Sequence, residues 1–358
     1  MAYISFQPTD YFGTLLYSGN SSTQALTGLG FEPDLIWIKN RDGGGGSHDH
    51  YWFDQVRGTT KHLRSNTTNA EGTASGVTSF DSDGFTLGSS DGMNESSRTF
   101  VAWNWKASGT SGSSNSNGSI TTTVSADTTR GFSIVKWVCD NQNPSTLGHG
   151  LGAVPSVILM KEMTGSSGWV IGGFGLDWGG YLSLQTTNAL SNNGNNTTGD
   201  GRMFYQGGNA PTSTIWYTNS GAIASQNGAT MIAYCFAEKK GFSKFGSYLG
   251  NGSASGSFVY CGFKPAMVLF KQSSASGEKW YIYDNKRNTH NVTNSVLFPN
   301  AADAESPTTT GAPIDILSNG FKLRGTDAAG NGDGSTYVFM AFAEHPIVSS
   351  NGVPVTAK

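Results

Sequence analysis

The chain has 358 residues, enough for two or three domains at about 150 residues each. Its 49 glycines are about twice the average share and its charged residues make up 13 %, against roughly 25 % in ordinary globular chains, which excludes helical bundles and coiled coils. A 36 % hydrophobic content, 12 % aromatics and a net charge of -3 exclude a disordered chain and argue against binding nucleic acid or an anionic membrane through a basic surface.

The first ten residues, Met1 to Asp10, carry neither a basic region nor an apolar one, so no signal peptide is expected. No apolar run approaches the length of a membrane span, and no membrane insertion is expected. Tyr11 to Asn20 reads as an aromatic, a short strand and an Asn turn. Gly30 to Lys39 follows with Gly, Pro33, the apolar run Leu35 to Ile38 and a terminal Lys; a strand apolar at every position is expected to be buried on both faces. Four glycines, Gly43 to Gly46, lead to His48, Asp49 and His50. Two histidines beside one carboxylate form an incomplete metal-ligand set, so an exposed loop tip is expected and no metal is implied.

Trp52, Asp54 and Arg57 come next, in His50-Tyr51-Trp52-Phe53-Asp54-Gln55-Val56-Arg57. The Asp-x-x-Arg spacing suits either a ligand-binding pair or a strand-end ion pair. A Trp beside Asn, Asp and Gly suits either a carbohydrate-stacking platform or core packing. Asn66 to Glu71 forms a further block, and Asp81-Ser82-Asp83-Gly84 reads as a tight turn, because the calcium-ligand positions beyond it hold Phe85 and Leu87. Thr99 to Trp105 closes the series with a continuous β-type run.

The same order of blocks returns twice, with a period of roughly 100 to 110 residues. Phe132 to Asn141 and Phe242 to Asn251 match the opening, and Gly152 to Lys161 and Gly262 to Lys271 match the Gly-to-Lys block without a gap. Gln185 to Leu190 and Asn300 to Glu305 match the third block; Thr230 to Phe236 and Thr336 to Phe342 match the close. Asp284 and Arg287 repeat the Asp-x-x-Arg pair in the third copy, whereas the second has Gly172-Gly173-Phe174-Gly175 there. Trp178, in Leu176-Asp177-Trp178-Gly179-Gly180-Tyr181, is the second candidate for glycan stacking.

The expected fold is therefore all-β, with three tandem antiparallel β-sandwich modules of jelly-roll or lectin-like type over 1–106, 130–239 and 240–358, the last with a short C-terminal tail. Residues 107–129, nearly all Ser, Thr, Gly and Asn, read as a flexible or extended linker, so that a looser first module precedes a rigid pair. Cys139, Cys235 and Cys261 lack disulfide or zinc spacing and are expected to be reduced and packed as small hydrophobes. No cofactor is implied, and no catalytic constellation of acid, base and nucleophile can be argued from spacing.

These blocks, together with Met1-Ala2-Tyr3-Ile4-Ser5-Phe6-Gln7-Pro8, Val56-Arg57-Gly58, Ser82-Asp83-Gly84-Phe85 and Asn351-Gly352-Val353-Pro354, resemble a recurrent module of tailed bacteriophages, marine ones in particular. The resemblance covers essentially the whole chain. It implies a non-enzymatic virion protein of tail, fibre or capsid-decoration type on the particle surface, assembled in the host cytoplasm. The partners it implies are other virion proteins, further copies of the chain (a trimer if it is a fibre) and host surface glycans. Two alternatives remain at the level of sequence: a polysaccharide depolymerase on a phage tail, which would need paired carboxylates across a cleft, and a bacterial glycan-binding adhesin.

Overall fold

The computed structural model describes residues 7–42, 48–140, 145–191, 204, 209–218, 227–307, 312–344, 347–348 and 354–355. The Gly43 to Gly46 run, the expected Asn141 turn, the opening Met1 to Phe6 and the ending Asn351 to Val353 lie outside the described residues.

The fold is all-β and antiparallel. Three large sheets share one strand order. The first runs Phe12–Ser18, Thr99–Trp105, Leu35–Asn40, His50–Asp54, and continues through Lys61–Arg64 and Gly72–Thr73. The second has Phe132–Val138, Thr230–Phe236, Val157–Glu162 and Val170–Gly173 in the same places, and the third has Ser243–Leu249, Thr336–Ala343, Pro265–Gln272 and Tyr281–Asp284. A smaller sheet accompanies each: Gln24–Thr27, Gly84–Leu87 and Val77–Asp81 in the first copy; Ser145–Gly148 and Ile215–Thr218 in the second; Phe258–Tyr260, Gly320–Leu323 and Ile314–Leu317 in the third.

Strand alternation sends successive side chains to opposite faces. Ile36 and Ile38 point to an apolar cluster that includes Leu26, Val77, Phe85 and Leu87 of the small sheet. Leu35 and Trp37 point the other way, into a cluster built from all three large sheets. That shared core explains why Leu35–Asn40, Val157–Glu162 and Pro265–Gln272 are buried at every position. Equivalent register positions meet there: Leu35, Val157 and Met267 pair with Trp105, Phe236 and Phe342. Those three aromatic rings close a triangle, with centroids 6.4, 5.7 and 5.4 Å apart.

The blocks that end on Glu71, Leu190 and Glu305 lock the sheets into a ring. The first side chain of each docks on its own sheet: Asn66, Gln185 and Asn300 accept the backbone N–H of His50, Trp169 and Trp280 at 2.8–2.9 Å. The last residue docks on the next sheet: Glu71 N–H donates to Met163 O, Leu190 N–H to Ser273 O and Glu305 N–H to Arg41 O, each at 2.8 Å. The first copy thus holds the second, the second the third, and the third the first.

Residues 107–129 depart from the linker expectation. The buried Asp34 carboxylate accepts the N–H groups of Ala107 and Gly109 and the hydroxyl of Ser125. Ser113–Asn115 and Thr122–Asp127 extend the second sheet, while Ile120 and Val124 enter its outer core. A buried carboxylate requires partners, and the chain nearest to it supplies them. The stretch that joins the first copy to the second is thereby tied to both.

Candidate functional site

The two Asp-x-x-Arg pairs lie inside interfaces between large sheets. Arg57 Nε donates to Asp54 Oδ2 at 2.5 Å, with both side chains fully buried. Arg57 also donates to Trp52 O at 2.8 Å, and Glu71 lies 3.6 Å away. The second sheet completes the pair: Tyr234 Oη donates to Asp54 Oδ2 at 2.8 Å. Burial disfavours the Arg57 charge, yet the Asp54 carboxylate holds its pKa well above the ordinary arginine value. In the third copy Arg287 Nε donates to Asp284 Oδ2 at 2.6 Å, Arg287 also donates to Ile282 O and Glu305, and Trp103 of the first sheet donates its Nε1–H to Asp284 at 3.1 Å.

Tyr234, Trp103 and Met340 occupy one register position, opposite Leu159, Trp37 and Leu269. Met340 has no proton to donate, and the copy without charges is the second, whose Gly173, Leu176 and Leu190 stand where the others have acid, Arg and Glu. Leu176 and Leu190 pack against the cluster that contains Met340. Gly173 has φ +110°, and a Cβ there would lie 2.1 Å from Ser156 O, so that copy has no room for the acid. The ligand-pair reading of Asp54, Arg57, Asp284 and Arg287 therefore gives way to an ion pair that joins sheets.

Trp52 is not a sugar platform. It is 2 % exposed and packs at 4.6–5.2 Å from Trp37, Trp169 and Tyr234, at a position taken by Ile171 and Ile282 in the other copies. Trp178 is half-buried, its ring edge-on to Phe204 at 5.9 Å. His48, Asp49 and His50 are buried rather than at an exposed tip. Asp49 accepts from Arg64 and Asn66. His50 Nδ1 accepts from Trp37 Nε1 at 2.9 Å, and burial holds its pKa well below the usual range, so the ring is neutral with its proton on Nε2. A tight turn does stand at 81–84, where Asp81 pairs with Gly84, and the Asp83 carboxylate accepts Gly28 and Gly30 N–H. The three thiols are in no disulfide and are buried; burial pushes Cys139 up to about 11 and Cys261 up to about 12. Among the described residues no cluster of His, Cys, Asp and Glu could hold a metal, and no helix is long and apolar enough to cross a membrane.

The exposed aromatics lie elsewhere. Strand Phe258–Tyr260 is the edge of its small sheet, and its burial alternates: Val259 points inward while Phe258 and Tyr260 are 47 % and 62 % exposed. Residues i and i+2 of a strand project from one face about 7 Å apart. Lys322 pairs opposite Phe258 and donates Nζ to Ser255 Oγ, while Ser257 Oγ donates to the carbonyl of exposed Leu249. Two rings thus stand beside two hydroxyls and one cation. The sequence pointed first to Trp52 and Trp178, while Phe-Val-Tyr, an aromatic-apolar-aromatic pattern within a Gly, Ser and Asn-rich stretch, was equally legible in it.

The sequence matches a family described as a domain of unknown function (DUF7483) over residues 7–346. No curated protein and no solved structure matches the chain.

Proposed function

The chain belongs to the DUF7483 domain family, and on that premise we propose that it is a non-enzymatic phage virion protein, of tail, fibre or capsid surface, that adheres to host surface glycans. The observation that carries the adhesive reading is the Phe258 and Tyr260 pair on an unpaired sheet edge. Aromatic faces stack on sugar C–H groups, and the neighbouring Lys322, Ser255 and Ser257 suit the hydroxyls. The non-enzymatic reading is supported by the use of Asp54, Arg57, Asp284 and Arg287 as buried partners of one another. The virion reading rests on the phage-like sequence blocks, and assembly with other virion proteins and further copies, a trimer in a fibre, belongs to it.

Titration with host-derived polysaccharide tests the adhesive role. Wild-type protein is expected to bind, and Tyr260→Ala with Phe258→Ala to lose at least tenfold in affinity, since a stacked aromatic ring contributes on the order of 1 kcal/mol. Undiminished binding by the double variant overturns the platform. New reducing ends after incubation overturn the non-enzymatic reading, and absence of the chain from the peptides of purified particles overturns the virion placement.

A further inference from the structure

Each copy has an edge strand at the same place in its small sheet, and the three edges differ. In the first copy Ala25, Leu26 and Thr27 pair with Thr86, Phe85 and Gly84, just as Phe258, Val259 and Tyr260 pair with Lys322, Phe321 and Gly320 in the third. Leu26 and Val259 are both buried, so the two strands turn the same face outward, with Ala25 and Thr27 where the third copy has its two rings. In the second copy the edge is covered: Ile120 N–H donates to Thr146 O, and Thr146 N–H donates to Ser119 Oγ at 2.9 Å. The exposed ring pair is therefore a feature of one copy in three.

Glycines border the rings. Gly256 and Gly262 stand two residues before and two residues after the pair, and Gly320 lies opposite Tyr260. The backbone requires glycine at each: a Cβ at Gly256 would lie 2.4 Å from Leu323 O, one at Gly320 would lie 2.0 Å from Val259 O, and Gly262 has φ +80°. The Tyr260 ring lies against Gly262, its atoms 3.5–3.8 Å from where a Cβ would stand. No side chain rises from these three positions, so the rings form an open ledge and not a pocket.

A site that reads the end of a glycan needs a wall against which the last sugar stops. A ledge whose rings stand about 7 Å apart along one strand instead offers each ring to a different sugar unit, and glycines at both ends let the sugar chain run on. Resting on the glycan-binding reading proposed above, we infer that this edge takes the interior of a linear polysaccharide. Successive sugar units stack on Phe258 and Tyr260, Lys322 beside Phe258 donates to their hydroxyls, and each protein chain has one such site despite its threefold repeat.

Host polysaccharide, partly hydrolysed and separated by length into single sugars, tetrasaccharides and octasaccharides, is titrated calorimetrically into the full chain. Octasaccharide is expected to bind at least about tenfold more tightly than the single sugar, and opening its terminal ring with borohydride is expected to leave that affinity unchanged. Tetrasaccharide, too short to bridge two proteins, is expected to bind at one site per chain. Phe258→Ala and Tyr260→Ala, both at exposed positions, are each expected to weaken octasaccharide about fivefold. A single sugar that binds as tightly as octasaccharide, a loss of affinity on borohydride reduction, or two or three sites per chain overturns the assignment to chain interiors and leaves the adhesive reading standing. Undiminished octasaccharide binding by the double variant, or no binding at any length, overturns both.

Discussion

The Asp34 carboxylate is fully buried, and burial pushes its pKa up to about 6 despite hydrogen bonds from Ala107, Gly109 and Ser125. Its folded value lies above the unfolded one, so between about pH 4 and 6 the folded chain binds more protons than the unfolded chain. The stability this group contributes is complete below that window and is lost as pH rises through it. Asp34→Asn is expected to remove on the order of 3 kcal/mol of that pH dependence, read as the difference between urea melts of variant and wild type from pH 4 to 7. Lys39, Lys161 and Lys271 have the opposite sign. Burial lowers each to about 8, while Nζ donates to the carbonyls of Asn40, Glu162 and Gln272. Here the unfolded chain binds more protons above pH 8, so their contribution to stability rises from about pH 8 towards 10.5. Lys161→Met is expected to flatten that rise in thermal melts at pH 8 and 10. The terminal Lys of each block was plain in the sequence; its burial was not, because the carbonyls that make burial tolerable are placed by the strand end and the loop beyond it.

At the scale of elements, the interface between the first and second sheets is a unit of Asp54, Arg57, Glu71 and Tyr234, and its counterpart between the second and third is Gly173, Leu176, Leu190 and Met340. Removing one member of a buried ion pair strands the other charge. Asp54→Ala is therefore expected to destabilise by about 3–5 kcal/mol in chemical denaturation. Replacing the whole unit, Asp54→Gly with Arg57→Leu, Glu71→Leu and Tyr234→Met, is expected to recover most of that loss, because an apolar set of this kind already packs one interface of the same molecule. If the fourfold variant is no more stable than Asp54→Ala, the equivalence of the interfaces is wrong. The loss of Asp-x-x-Arg in the second copy was visible in the sequence, but its cause was not, since Tyr234 lies 180 residues from Asp54. The Ser, Thr and Gly-rich stretch 107–129 misled for a similar reason: composition signals local flexibility, whereas Asp34, in the bend before the distant strand Leu35–Asn40, captures the stretch.

For the whole molecule, the shared core decides cooperativity. Leu35, Val157 and Met267 belong to one apolar cluster, and each large sheet turns one face to the other two. No copy buries both faces of its large sheet alone. Differential scanning calorimetry is expected to show one transition with equal calorimetric and van't Hoff enthalpies. Three separable transitions would instead indicate independent modules on a string. The sequence alone determined the all-β class, the threefold recurrence of blocks and the two-sided burial of the Gly-to-Lys strands, because strand period and turn residues are written within a few positions of one another. The tertiary structure decided which face meets which sheet, that Trp52 and the Asp–Arg pairs are buried between sheets, and that Phe258 and Tyr260 are exposed. Each of those depends on contacts between residues far apart in the chain, whose pairing no local pattern encodes.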